Sequence, residues 1–257
     1  NWVNSNFETL KQITEATSGH LTLLEIKPIS VGKSVYLRFR FDTADAMGMN
    51  MATIAVSSAI KRIEEATQAK CVAISGNMCS DKKQNFLNFI EGRGISTQAE
   101  AIISKEILLD VLKTTAGKLF EVYQRKIIQG SILSGTIGAN AQAANILTAL
   151  FIATGQDVAH IAEASSVVTS IELLEHDAIY ISVSIPDLPI GTVGGGTGLS
   201  TQKEALSILG ISGGNNGKNA AIFAEIIAGA VLAGELSLLA SLAENSLACA
   251  HETLGRG

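Results

Sequence analysis

Val35-Tyr36-Leu37-Arg38-Phe39-Arg40-Phe41-Asp42 alternates apolar Val35, Leu37, Phe39 and Phe41 with Tyr36, Arg38, Arg40 and Asp42. That period of two is the signature of a strand with one face buried and one face wet. Outward from it, residues 21–26 form a second strand-like run, and Pro28 and Gly32 between the two supply turn residues, so the pair reads as an antiparallel hairpin. Upstream, Phe7, Leu10 and Ile13 recur at helical spacing within 6–17. Downstream, residues 52–68 set Ile54, Ile60 and Ile63 against Lys61, Arg62, Glu64 and Glu65, and 71–75 is a short apolar run that reads as a strand. Helix, strand, strand, helix, strand is most of a ferredoxin-like unit lacking its opening strand. The fold class expected is therefore α+β, with a small domain over residues 1–75.

The remainder, 76–257, predicts a larger, helix-rich domain. Gly92 and Gly94 punctuate a stretch leading to a strand at 98–103, and a helix is expected over 105–121. Residues 127–156 carry no charge, which raises the question of a membrane span. Asn140, Gln142, Asn145 and Thr148 interrupt the run, and Gly130, Gly135 and Gly138 break its first part. A buried central helix in a soluble protein fits better than a lipid-facing one. The run 220–243, with Glu225 and Glu235, reads the same way. Ile179, Ile181, Val183 and Ile185 alternate with polar residues up to Pro186, a strand, and a long Ala/Leu helix is expected over 219–252.

Composition excludes more than it identifies. With 47% hydrophobic residues the chain can fill a sizeable core, while 17% charged residues and a net charge of −5 leave no broad basic surface for nucleic acid. Cys71, Cys79 and Cys249 have no spacing suggesting a disulfide framework or a zinc site, which points to a reducing cytoplasm. The chain opens on Asn1 with no charged leader before an apolar run, and reads as beginning in mid-protein.

Two glycine-bearing motifs carry the chemistry. Asp45-Ala46-Met47-Gly48-Met49-Asn50-Met51 precedes a helix whose first N–H groups can hold a pyrophosphate. Read without context, Asp45 is a helix cap and the methionines are core packing. Gly191-Thr192-Val193-Gly194-Gly195-Gly196-Thr197 follows a strand and permits close backbone approach to a ligand, or is a plain loop.

Together, however, the two motifs are similar to those of the 3-hydroxy-3-methylglutaryl-coenzyme A reductase family. Ser75-Gly76-Asn77, Ser80-Asp81-Lys82-Lys83, Glu91-Gly92-Arg93-Gly94, Leu112-Lys113-Thr114-Thr115, residues 140–145, Gly155-Gln156-Asp157 and Ala233-Gly234-Glu235-Leu236-Ser237 extend the resemblance in family order, and the wording resembles the class I, archaeal branch. The resemblance implies a two-step, NADPH-dependent, metal-free reduction of 3-hydroxy-3-methylglutaryl-CoA to mevalonate and CoA, in a homodimer or larger assembly with its site at the interface. It implies a ferredoxin-like, NADP-binding small domain and a larger substrate-binding domain.

By the same matching, Lys82 would stabilise the oxyanion and Asp157 would anchor it and tune a nearby acid; by themselves they read as a surface lysine and a loop acid. Ser75, Asn77, Asp81, Lys83, Lys126 and Asn145 would contact the hydroxymethylglutaryl group or order the site, with Lys83 and Lys126 as carboxylate partners. As plain residues, Asn145 could cap a buried hydrogen-bond network and Lys126 could be a loop cation. Ser18, Asp45, Met47, Gly48, Met49, Asn50, Gly194, Gly195 and Gly196 would hold the cofactor.

The pattern departs from the family at several points. The family's catalytic glutamate falls upstream of Asn1, and Ser246 stands where the family has its catalytic histidine, with His251 on another helical face. Ser18-Gly19-His20 lacks the arginine that class I members place near Gly19 for the 2′-phosphate, which leaves NADH open as a cofactor, and Ala44 replaces a glycine. These departures motivate the alternative of a non-catalytic paralogue that binds ligand or partners an active subunit. An upstream membrane anchor is likewise left open.

Overall fold

The computed structural model describes residues 1–244. Ser246, Cys249 and His251, and the end of the expected final helix, lie outside the described residues. After a short turn of helix, α1 (Trp2–Ser5), come α2 (Phe7–Glu15), β1 (Thr22–Val31), β2 (Ser34–Asp42) and α3 (Met49–Ala66). β1 and β2 form a two-stranded antiparallel hairpin with Ile26 opposite Phe39 and Val31 opposite Ser34. Pro28 lies within β1 and not in the turn, as an edge strand tolerates. Leu10, Leu23, Ile26, Ala59 and Ile63 form a small core with Phe7, Leu37, Phe39 and Phe41 packed against it.

Two expectations about this unit fail. Ile54 is exposed, because α3 turns Ala55, Ala59 and Ile63 inward. The run 71–75 is not a strand: it is exposed along its whole length, Val72 included, so among the described residues the hairpin has no third partner.

The larger part begins with α4 (Phe86–Glu91) and β3 (Arg93–Ile103). The expected 105–121 helix is two, α5 (Lys105–Asp110) and α6 (Ala116–Val122), because Lys113 adopts a left-handed φ of 58° and Thr115 caps the second. The expected central helix over 127–156 is also interrupted. A π-helical stretch (Tyr123–Gly130) runs into α7 (Ser131–Ser134), Gly135 and Gly138 end it with positive φ, and α8 (Ala143–Thr154) restarts after a loop. There follow α9 (Ile161–Ala164), β4 (Val168–Leu173), β5 (Ile179–Leu188), α10 (Ser200–Ile208) and α11 (Lys218–Ala243).

β5 is the middle strand of an antiparallel sheet ordered β3-β5-β4, and its Ile179, Ile181, Val183 and Ile185 are buried as the alternation predicts. The central helix is α11, long and apolar enough by composition to cross a membrane but packed on β3, β5, α6 and α8. Its Glu235 is fully buried, where it accepts from Ala141 N, Gln142 N and Thr169 Oγ1 and so caps α8 across the core. A second hydrophobic core, distinct from the first, spans these elements.

Candidate functional site

The two glycine-bearing motifs meet. Ala46 and Val193 pair as a parallel bridge, and Thr192 N donates to Asp45 O at 2.8 Å. A methyl group on Gly191 would lie 2.6 Å from Met47 N, so glycine is what lets the segments touch. Gln156, buried, reinforces the join: its Nε2 donates to Gly191 O and its Oε1 accepts from Gly191 N.

Asp45, expected to contact a cofactor, is committed elsewhere. It is 3% exposed and accepts from Asn215 N at 2.5 Å, Gly217 N at 2.8 Å and Ala220 N at 3.0 Å, so it neutralises the start of α11. Burial raises its pKa, but the converging N–H groups outweigh burial and hold the carboxyl below its ordinary value. The adjoining Ala44 sits at φ 50°, a left-handed conformation that glycine adopts more readily.

What remains open to a ligand is backbone. Gly48, at φ 87°, begins α3 with no side-chain cap, leaving the first N–H groups of an 18-residue helix unmatched by a side chain. Added methyl groups on Gly194 and Gly195 would meet nothing, and both residues have positive φ, so this turn is an open cradle. Ser18 lies beside the helix start, with its Oγ 3.4 Å from Met51 Sδ.

A charged cluster adjoins this cradle. Lys82 Nζ is 2.8 Å from Asp157 Oδ2, while Asp157 Oδ1 accepts from Ala159 N. Their hydrogen bond raises the lysine pKa and lowers that of the aspartate, so the pair stays charged. Lys82, Asn77 and Ser80 all adopt left-handed φ of 56–61°, three non-glycine residues in one strained loop. Beneath the pair, Arg93 bridges Asp81 (2.7 Å) and Glu163 (2.6 Å), and His160 Nδ1 is 2.5 Å from Glu163 Oε1. A register shift at Arg93–Gly94 bends β3 there, and a methyl on Gly94 would strike Leu188 O at 2.4 Å. Glu163 also accepts from Lys82 N and Asn88 Nδ2. Burial pushes it up, but the His160 hydrogen bond and Arg93 charge leave it lowered. Buried Asp187, beside Glu163, is pushed the other way, up to about 7, by burial and by that neighbouring carboxylate.

Two contacts join cluster and cradle. Arg93 NH2 donates to Met49 Sδ at 2.9 Å, and Gly155 packs so closely on Gly196 that a methyl on it would lie 2.3 Å from Gly196 O. Asp81, His160 and Glu163 offer ligand atoms within 4.8 Å of one another, yet Arg93 already bridges both carboxylates, so a metal ion would have to displace a guanidinium.

Other expected site residues are less engaged. Lys83 Nζ donates to Asp81 O, and Ser75 Oγ lies 3.2 Å from Cys79 Sγ. Asn77, Lys126 and Asn145 are exposed and form no hydrogen bond or ion pair with Lys82 or Asp157 among the described residues. Reading the sequence missed His160, Glu163, Asn88 and Asp187. The first two follow Asp157 at three-residue intervals, one helical face, which was a usable signal.

Fold and site together define an α+β protein in which a lysine–carboxylate centre abuts a glycine turn and an uncapped helix start. The hydroxymethylglutaryl-coenzyme A reductase family model matches residues 1–256. The chain is 51% identical over 259 residues to the 3-hydroxy-3-methylglutaryl-coenzyme A reductase of Pyrococcus abyssi and 49% over 257 residues to that of Haloferax volcanii, in each case covering 99% of this chain and 64% of the relative. It thus spans less than two thirds of the curated relatives it matches. Its fold is similar to a class II 3-hydroxy-3-methylglutaryl-CoA reductase from Streptococcus pneumoniae, solved bound to NADPH in open conformations, at TM-score 0.66 and 19% identity over 93% of this chain and 65% of that one. The chain belongs to the hydroxymethylglutaryl-coenzyme A reductase family.

Proposed function

We propose that this chain carries the reaction centre of an NADPH-dependent reductase that converts 3-hydroxy-3-methylglutaryl-CoA to mevalonate and CoA, a step toward isoprenoids. The observation that supports this most is the Lys82–Asp157 pair, two residues along from Gly155, which packs on Gly196 at the end of the glycine turn. The first N–H groups of α3, at Met49 and Asn50, suit a pyrophosphate, with Met47 and Gly48 shaping the approach and Ser18 beside it. When bound, NADPH supplies hydride. Lys82 stabilises the oxyanion that develops on the thioester carbonyl, and Asp157 holds the ammonium in place. Lys83 and Lys126 pair with the substrate carboxylate, and Ser75, Asn77 and Asn145 complete its pocket, while Asp81 acts through Arg93. We read 1–75 as a ferredoxin-like cofactor domain and 76–257 as part of the substrate domain of a cytoplasmic homodimer.

The intact Lys82–Asp157 pair favours this over a non-catalytic paralogue. Absorbance at 340 nm with 3-hydroxy-3-methylglutaryl-CoA, comparing NADPH and NADH and with mevalonate identified by mass, tests it. Cofactor binding without substrate-dependent oxidation would return the paralogue reading.

A further inference from the structure

His160 is fully buried, and its Nε2 has no hydrogen-bond partner among the described residues although it points toward Asp157 Oδ2 at 3.8 Å. An orphaned ring nitrogen in a closed interior is costly unless it is used. The other side of the ring is settled. Nδ1 meets Glu163 Oε1 at 2.5 Å, and a carboxylate can only accept, so Nδ1 carries a hydrogen. A neutral imidazole would then aim a lone pair at the Asp157 carboxylate, whereas an imidazolium would offer it a proton.

Carboxylates outnumber cations around the ring. Asp81 Oδ1 is 3.7 Å from Nδ1, Arg93 NH1 is 3.5 Å away, Glu163 lies on α9, Lys82 lies beyond Asp157, and Asp187 and Asn88 lie behind Glu163. Asp81, Asp157 and Glu163 are three carboxylates against two cations, Arg93 and Lys82. One further positive charge balances the cluster.

We propose that His160 is a positioning residue that stores one proton for the Lys82–Asp157 pair. When Lys82 gives a proton to a bound acceptor, the Nε2 proton of His160 passes to Asp157 Oδ2 and on to Lys82 Nζ. The neutral imidazole that results keeps Nδ1–H on Glu163. Recharging comes from water, through Asp157 and Lys82, whose side chains are 37% and 42% exposed while His160 is sealed. The order is that of a buried carboxylate orienting an imidazole that exchanges a proton on its far side. It rests on the reading of Lys82 as the group that meets the substrate, and requires the Nε2–Oδ2 separation of 3.8 Å to close to hydrogen-bond distance as the proton moves.

The test has two arms. In the ¹⁵N-labelled chain, Nε2 of His160 is followed by NMR from pH 5 to 9, alone and in Asp157→Asn. The proposal expects an imidazolium-type Nε2 signal at neutral pH whose midpoint moves to lower pH in Asp157→Asn. A neutral-type Nε2 throughout, or a midpoint indifferent to Asp157, overturns it without any activity being measured. In the turnover arm, His160→Gln should lower kcat about 10- to 100-fold, with KM for NADPH unchanged and one limb of the pH–kcat profile gone. An unaltered profile overturns the proposal. Absence of NADPH oxidation in the parent would count against the reductase reading, and the NMR arm would still decide the proton link.

Discussion

Asp45→Ala should cost about 3–4 kcal/mol of stability. The carboxylate accepts from three backbone N–H groups in the loop leading into α11 and its first turn, and is itself 3% exposed. Hydrogen bonds to a charged group are worth about 1.5–3 kcal/mol each, and loss of a helix cap about 0.5–2. The three share one acceptor, and the truncated site can admit water to Asn215 N and Gly217 N, so the sum is not reached. Asp45→Asn keeps one oxygen but turns an NH₂ toward N–H donors, and should cost about half as much or more. Urea denaturation at pH 7 with an unchanged m-value measures both. The folded pKa is depressed, so the carboxylate's contribution is full above the ordinary value of 3.8 and is lost as pH falls through the folded value. The gap between parent and Asp45→Asn should therefore begin to narrow below about pH 3.8 and close in stronger acid. Equal stability of parent and Asp45→Ala, or a gap that is the same at pH 3 and pH 7 with native structure retained, would refute this role for Asp45.

Ala44→Gly relieves a left-handed φ of 50° and should stabilise by up to about 1 kcal/mol after the entropy cost of glycine, read as a rise in urea midpoint. Asp187→Asn removes a carboxyl whose folded pKa is raised to about 7 from 3.8. The parent holds a proton there that the unfolded chain has lost, so its stability falls as pH rises from about 4 to 7. The variant should gain on it across that window by at most about 4 kcal/mol, and a pH-independent difference would contradict the assignment. Gly155→Ala forces a methyl against Gly196 O and should weaken NADPH binding at least about 10-fold, measured by fluorescence titration, while Gly117→Ala, with open space around it, should not.

Much of this was legible in order along the chain. The hairpin and β5 follow from a period of two, and the burial of 220–243 from an apolar run carrying Glu225 and Glu235; the structure keeps these at Phe39, Ile181 and Ile227. The run 71–75 looked like a strand because its residues are apolar, but a strand needs a partner edge, and a single local run cannot supply one. The 127–156 break lies at Gly135 and Gly138, whose positive φ ends the helix although the run stays apolar on either side. At the site, the meeting of Asp45 with Asn215 and Gly217 spans some 170 positions, and no local pattern encodes it. The Asp157, His160, Glu163 spacing was local and could have been read. What hid it is that buried ionic clusters become recognisable only when Arg93 arrives from β3.

We propose Lys82 and Asp157 as the centre that lets the thioester carbonyl accept hydride. Lys82→Met, which keeps the stem and removes the ammonium, tests it most directly by single-turnover NADPH oxidation with 3-hydroxy-3-methylglutaryl-CoA, alongside NADPH binding. Binding should be unchanged and the rate lowered by about 10²-fold or more. Oxidation at the parental rate would contradict it.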